Sequence, residues 1–280
     1  MLASGMRFDL IQSLSLAGEA GIPNDDRAGA RDTLGWVIDG ATDLGPPGLV
    51  GSRGGAAWLA DEASAALAHA ADAPAGEMLA ALAMRMAERF AEARAREPVG
   101  RWELPIAALL LARLAGDALE CAWLGDCAGL LRRTTGEVVR LGRLPVERDR
   151  ETELAKSLAS HGLGTIKGRD DAVIETLRGT RERPGLVVLG VEGATDGAEY
   201  QRAACAPGDE LLLMTDGFAA LVDSYDAYDA AALMAAVARD GLAPLALQLR
   251  AIETGDAACT RFVRFKTSDD ATALWLRIGG

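Results

Sequence analysis

The sequence predicts an α+β fold in which antiparallel sheets are covered by helices. Three observations carry this: apolar strand-like segments come in runs joined by short polar turns, helical stretches come in pairs, and no regular strand-helix-strand alternation links them. At 280 residues the chain is long enough for a large core, and one domain is the default reading.

The elements follow in order. Residues 8–16 alternate, with Phe8, Leu10, Leu14 and Leu16 on one side and Asp9, Ser13 and Ser15 on the other, which predicts a half-buried strand. A turn-rich segment, 18–31, leads to a second strand over 34–38 that runs into Asp39-Gly40, and a glycine-rich loop spans 45–55. Composition turns helical over 56–73. After Pro74-Ala75-Gly76 a second helix carries Leu79, Leu82, Met86 and Phe90 at three-and-four spacing; that stripe and Trp58 are read as core. Strand character returns over 106–111, 118–124, 129–132 and 138–141, and the tight turns between these segments make neighbours antiparallel. Residues 144–207 are charged and weakly periodic, with helices expected over 151–160 and 172–178. A strand over 210–215, a helical stretch over 227–253 interrupted near Gly241-Leu242-Ala243-Pro244, and two closing strands over 261–265 and 271–278 complete the chain.

Composition narrows the function. Half the residues are hydrophobic but only 5% are aromatic, so Leu, Val, Ile and Ala must fill the core. A net charge of -12 argues against nucleic acid, whose binding relies on Lys and Arg neutralising phosphates. Cys121, Cys127, Cys205 and Cys259 form no CxxC pair, no apolar run is long enough to span a bilayer, and no leader-like segment opens the sequence. The expectation is a cytoplasmic protein with reduced thiols and no membrane partner. His69 and His161 have no neighbouring ligand at zinc-binding spacing.

Asp-Gly dipeptides occur at Asp39, Asp196, Asp216 and Asp240, and each alone is a turn signal. Asp39 and Asp216 differ because each follows an apolar run, so each carboxylate ends a buried strand and needs a partner. Asp25, Asp26, Asp126, Asp269 and Asp270 also sit at predicted strand ends or adjoining loops. Carboxylates converging from neighbouring strands make an oxygen-rich site that selects hard cations such as Mg²⁺ or Mn²⁺.

Five motifs in order carry a family resemblance: Asn24-Asp25-Asp26, Val37-Ile38-Asp39-Gly40, Trp123-Leu124-Gly125-Asp126, Gly208-Asp209-Glu210-Leu211-Leu212-Leu213-Met214-Thr215-Asp216-Gly217, and Asp269-Asp270-Ala271-Thr272. Together they resemble the motif series of the PP2C (PPM) metal-dependent serine/threonine protein phosphatases, in their bacterial form. The resemblance implies a four-layer α-β-β-α sandwich in one domain, with a variable flap-like segment at about 144–207. It implies two divalent cations, Mn²⁺ or Mg²⁺, and a third, weaker one at Asp126. Asp39 would bridge the two ions, the Gly40 carbonyl would bind one, Asp216 and Asp269 would complete the other, Asp25 would act on the second ion, and Asp26 and Asp270 would orient this set. A hydroxide bridging the ions would hydrolyse phosphoserine or phosphothreonine on a protein substrate, the counterpart of a protein kinase.

The sequence departs from the family pattern at named positions. Gly21 stands where many members carry a phosphate-gripping arginine; Arg27, Arg31 or Arg53 could supply the guanidinium from a neighbouring loop, and Arg53 is the preferred substitute. Ala41 stands where some members have a histidine, Asp270 replaces the usual asparagine, and Asp25 the commoner glutamate. These departures keep two other readings in view: a pseudophosphatase acting as a binding or regulatory module, and a hydrolase of small phosphorylated metabolites.

Overall fold

A computed structural model describes residues 5–144 and 171–280; the helix expected over 151–160 lies outside them. The strands are β1 (Arg7–Leu16), β2 (Arg27–Arg31), β3 (Leu34–Gly40), β4 (Ile106–Ala115), β5 (Ala118–Leu124), β6 (Ala128–Arg132), β7 (Val138–Gly142), β8 (Leu189–Gly190), β9 (Glu199–Ala204), β10 (Glu210–Met214) and β11 (Ala271–Gly279). The helices are α1 (Gly55–Ala68), α2 (Ala75–Ala93), α3 (Asp171–Glu182), α4 (Asp216–Asp223), α5 (Ala230–Asp240) and α6 (Leu242–Gly255). One sheet runs β1-β11-β10-β6-β7, the other β2-β3-β4-β5-β9 with β8 beside β4, and every pairing is antiparallel.

Alternation along the strands sorts the side chains into three cores, which is what makes four layers. In β4, Leu109 and Leu111 pack with Leu59, Leu79 and Met86 of the α1/α2 pair, while Leu110 and Ala112 point the other way. Those residues meet Leu211 and Leu213 of β10 and Leu274 and Leu276 of β11 between the sheets. On the far face, Leu212, Met214 and Trp275 pack with Phe218, Leu233, Val237 and Leu249 from α4, α5 and α6. Central strands covered on both faces read as continuous apolar runs because neither face meets water. The α+β expectation and the sandwich are both present, and Leu79, Leu82, Met86 and Phe90 are buried as expected.

Several segments correct the sequence reading. In β1 the register shifts between Leu10 and Gln12, so a bulge reverses the alternation. Phe8 faces the inter-sheet core, Leu14 packs on the helix side, and Leu10 is exposed. The end of the turn-rich segment is the strand β2, whose Gly29 lies opposite Trp36; a Cβ there would stand 2.4 Å from the indole. Smallness, not turn chemistry, explains that glycine. Helix α4 begins at Asp216, where only a turn signal was readable, and β8 and β9 order part of the segment read as irregular.

No strand forms over 261–265. The Asp256 carboxylate instead accepts the backbone N–H groups of Thr260, Arg261 and Phe262, each at 3.0 Å, and the Arg264 guanidinium at 2.7 Å. Donors captured this way have nothing left for a ladder. Arg264 also donates to the carbonyls of Glu253, Asp256, Phe262 and Thr267. Burial pushes the Asp256 carboxyl up, but the three backbone donors and Arg264 outweigh burial and hold it well below the usual carboxylate range.

Asp256→Ala should lower the unfolding free energy by about 2–4 kcal/mol, because it strands the Arg264 charge and the backbone donors; urea denaturation followed by circular dichroism measures this. The contribution of a depressed carboxyl is present above its ordinary pKa of 3.8 and lost as pH falls further, so the gap between wild type and variant should close in acid.

Candidate metal centre

All the carboxylates singled out in the sequence lie at one rim of the sandwich. Asp39 is the penultimate residue of β3, Asp126 follows β5, Asp216 follows β10 and opens α4, and Asp269 and Asp270 immediately precede β11. Antiparallel order puts the ends of β3, β5 and β10 and the beginning of β11 together, because β3 pairs with β4, β4 with β5, and β10 with β11. Asp25 and Asp26 enter from the segment before β2.

Hydrogen bonds tie the two sheets together here. The Asp216 N–H donates to Asp39 Oδ2 at 3.4 Å, and the Thr215 hydroxyl donates to Asp26 Oδ2 at 2.7 Å. The Asp270 carboxylate accepts the N–H of Gly18 and that of Asp25, both at 2.7 Å, and the Asp270 N–H donates to Asp269 Oδ1 at 2.8 Å. Asp270 is therefore a clamp that fixes the Asp25 loop to the start of β11. The glycines of the two Asp-Gly pairs are required by close approach. A Cβ on Gly40 would lie 2.8 Å from the Asp25 carbonyl oxygen, and one on Gly217 only 1.9 Å from that of Asp270.

Burial and one another's charge set the protonation of these groups. Burial first, and then the charges of Asp26, Asp216, Asp269 and Asp126, hold the Asp39 carboxyl well above the usual carboxylate range. Burial also raises Asp26; the Thr215 hydroxyl opposes the rise, and Asp269, Asp270 and Asp216 add to it. Asp25 is pushed up to about 7 by burial and by Asp270 and Asp43, against the pull of Lys266 and Arg27. Asp269 is raised by burial and Asp216, with Lys266 opposing. Like charges crowded in a low-dielectric rim need a cation or a proton.

The donor set fits a hard divalent cation. It is all oxygen, and Asp26 Oδ1 is buried without a hydrogen-bond partner. Among the described residues, no three of these groups are already drawn around a single point. Asp269 Oδ1 is held in an ion pair by the Lys266 ammonium.

The sequence reading missed Lys266, Thr215, Asp43 and Asp61 as participants. Asp43 accepts the N–H groups of Gly55 at 2.7 Å and Ala56 at 3.1 Å, capping α1 from twelve residues away, a separation no capping pattern encodes. Arg53, the expected phosphate ligand, is paired with Asp61 of α1. Arg27 shares that carboxylate and donates to the carbonyls of Asn24 and Asp26, so Arg53 stands one side chain from the acidic loop. Gly21 has φ +86 and open space around it. Helix α3 reaches back to the loop after Asp39: Arg178 and Arg181 donate to the carbonyls of Leu44 and Thr42, each at 2.9 Å.

The fold of the whole chain is shared with solved structures. The serine/threonine phosphatase PstP/Ppp of Mycobacterium tuberculosis superposes with a TM-score of 0.57 at 19% identity, covering 99% of this chain and 100% of that one. Its catalytic domain in complex with two manganese ions gives 0.56 at 19% identity, covering 99% of each. The PPM phosphatase MsPP of Mycobacterium smegmatis, in complex with cacodylate, gives 0.55 at 20% identity, covering 99% of this chain and 100% of that one. No curated protein sequence matches. The family model described as Protein phosphatase 2C matches residues 18–250. That match covers most of the sequence, and the chain belongs to the protein phosphatase 2C family.

Proposed function

We propose that this chain is a divalent-cation-dependent phosphatase acting on phosphoserine or phosphothreonine in proteins. The observation that carries the reading is the meeting of Asp39, from one sheet, with Asp26, Asp216 and Asp269 at the rim where both sheets end. Divalent cations held there supply Lewis acidity, which activates water and offsets the charge of the phosphate in the transition state. The residues that would hold them are Asp25, Asp39, the Gly40 carbonyl, Asp216 and Asp269, with Asp126 at a weaker site.

The chain's own work is positioning. Thr215 fixes one oxygen of Asp26 and leaves the other free to face the centre, and the Asp216 N–H orients Asp39. Asp270 holds the Asp25 loop against the start of β11, across a separation of more than two hundred residues. Arg53, exposed beside Arg27, is the guanidinium available to a substrate phosphate once it leaves Asp61. Ala41 offers no acid for the leaving group, so that proton comes from water. A phosphoprotein made by a serine/threonine kinase is the substrate class this reading requires.

A second reading, a module that binds phosphoprotein without turnover, is favoured by one observation: Gly21 puts no cation where many relatives grip the phosphate. Hydrolysis of p-nitrophenyl phosphate and a phosphothreonine peptide separates the two. Activity with Mn²⁺ or Mg²⁺ that disappears with EDTA supports the phosphatase. Binding of the peptide without release of phosphate in any metal supports the module. Turnover of sugar or nucleotide phosphates alone would replace the protein substrate with a metabolite.

In the phosphatase, Asp39→Asn should cost about two orders of magnitude or more in kcat while circular dichroism stays unchanged. The raised carboxyls give a second expectation. A carboxyl whose folded pKa is raised stabilises most below its ordinary 3.8 and loses that contribution as pH rises toward the folded value, about 7 for Asp25. Thermal melts in EDTA should therefore fall in Tm between pH 4 and 7, Mn²⁺ should restore Tm most at the upper end, and Asp39→Asn should flatten the dependence.

A further inference from the structure

The chain supplies nearly all its positive charge as arginine: of 29 basic residues, only Lys156, Lys167 and Lys266 are lysines. One of these three lies at the acidic rim. The Lys266 ammonium pairs with Asp269 Oδ1, and Asp25, Asp39 and Asp216 also feel its charge. Burial would pull this ammonium down, but Asp269, Asp216 and Asp39 outweigh it and hold its pKa above the ordinary lysine value. A lysine suits the position. Its head is a compact point charge on a flexible stem, closer in shape to an ion than the flat fork of a guanidinium.

Lys266 is delivered by a fixed loop. Two residues before it, Arg264 is locked to Asp256 and to four carbonyls; one residue after it, the Thr267 hydroxyl donates to the Ala257 carbonyl at 3.2 Å. On the other side of the pair, Arg250 donates to the Asp269 carbonyl at 2.8 Å, which holds the main chain, and Asp269 Oδ1 accepts both the Asp270 N–H at 2.8 Å and the Lys266 ammonium. The side chains of Lys266 and Asp269 are 46% and 35% exposed, so solvent and an entering ion can both reach the contact.

We propose that Lys266 is a tethered cation that shares Asp269 with an entering divalent ion and must release that carboxylate before the ion is fully held. This rests on the metal-dependent reading above and adds to it that one side chain sets the metal affinity of the chain. The pair also gives the metal-free centre a countercharge, so two cations of different origin stabilise the same carboxylates at different times. Competition of this kind is simple linkage: every ion bound at Asp269 pays for separating one ammonium from it.

Isothermal titration of Mn²⁺ into EDTA-stripped protein tests this in the wild type, Lys266→Met and Lys266→Arg. The Met variant should bind about tenfold tighter or more, since a positive charge has been removed beside the ion. The Arg variant, which keeps the charge, should stay near wild type. Without metal, Lys266→Met should melt below wild type and gain more from Mn²⁺. Equal affinities in wild type and Met variant would overturn the tethered-cation proposal and leave the metal-dependent reading standing. Absence of Mn²⁺ binding in both would overturn that reading, and the proposal with it.

Should the variants fail to fold, the unaltered chain still decides. With three lysines, side-chain NMR of lysine-labelled protein resolves Lys266, and Mg²⁺ should move its ammonium signal from the ion-paired to the free position, with no change if Lys266 does not share Asp269.

Discussion

The central strands of both sheets are covered on both faces, so a side chain between the sheets there meets only other side chains. Val37, Leu110, Leu213 and Leu276 can be apolar without exception because no water reaches them. In the dry layer between the central strands a charge is accommodated where strands run out, and the antiparallel order brings the ends of β3, β5 and β10 and the start of β11 to one rim. The acidic centre is thus a product of the packing: the dry interior excludes charge from the layers and concentrates it at the place where loops from distant parts of the chain converge.

Concentrating carboxylates has an energetic cost, and the surrounding structure shows how it is contained. Thr215 and the backbone N–H groups of Gly18, Asp25 and Asp216 each neutralise part of one carboxylate. Arg27 braces the acidic loop through its carbonyls, leaving the carboxylates themselves to the centre. The contacts between glycines and backbone at Gly40 and Gly217 fix the loops at distances no other residue would permit. What remains uncompensated, above all Asp26 Oδ1, is chemistry held ready by a rigid frame rather than by the carboxylates' own attraction.

How much of this was legible in the sequence depended on whether a local pattern carried it. Strands β3, β4, β5, β10 and β11 announce themselves as apolar runs because they are covered on both faces, and the α2 stripe because one face is buried. Asp39 and Asp216 could be singled out because a charge directly after such a run is costly unless used. The bulge in β1 was invisible, since Phe8 and Leu14 look alike in sequence whichever sheet face each finds. Residues 261–265 have the composition of a strand, and only Asp256, several residues earlier, takes their hydrogen bonds away. Lys266 was missed for the same reason as Asp43: its role depends on a partner brought near by the fold of a loop, and no spacing rule describes that.

Strand β11 lies between β1 and β10, although it is made more than two hundred and fifty residues after β1. Both β1 and β10 pair with it, so the middle of this sheet is joined through its last strand. The sheet is therefore held closed by a pairing of high sequence separation, which local helix formation does not supply. Because Asp269 and Asp270 immediately precede that same strand, the pairing that closes the sheet also brings them to the acidic rim.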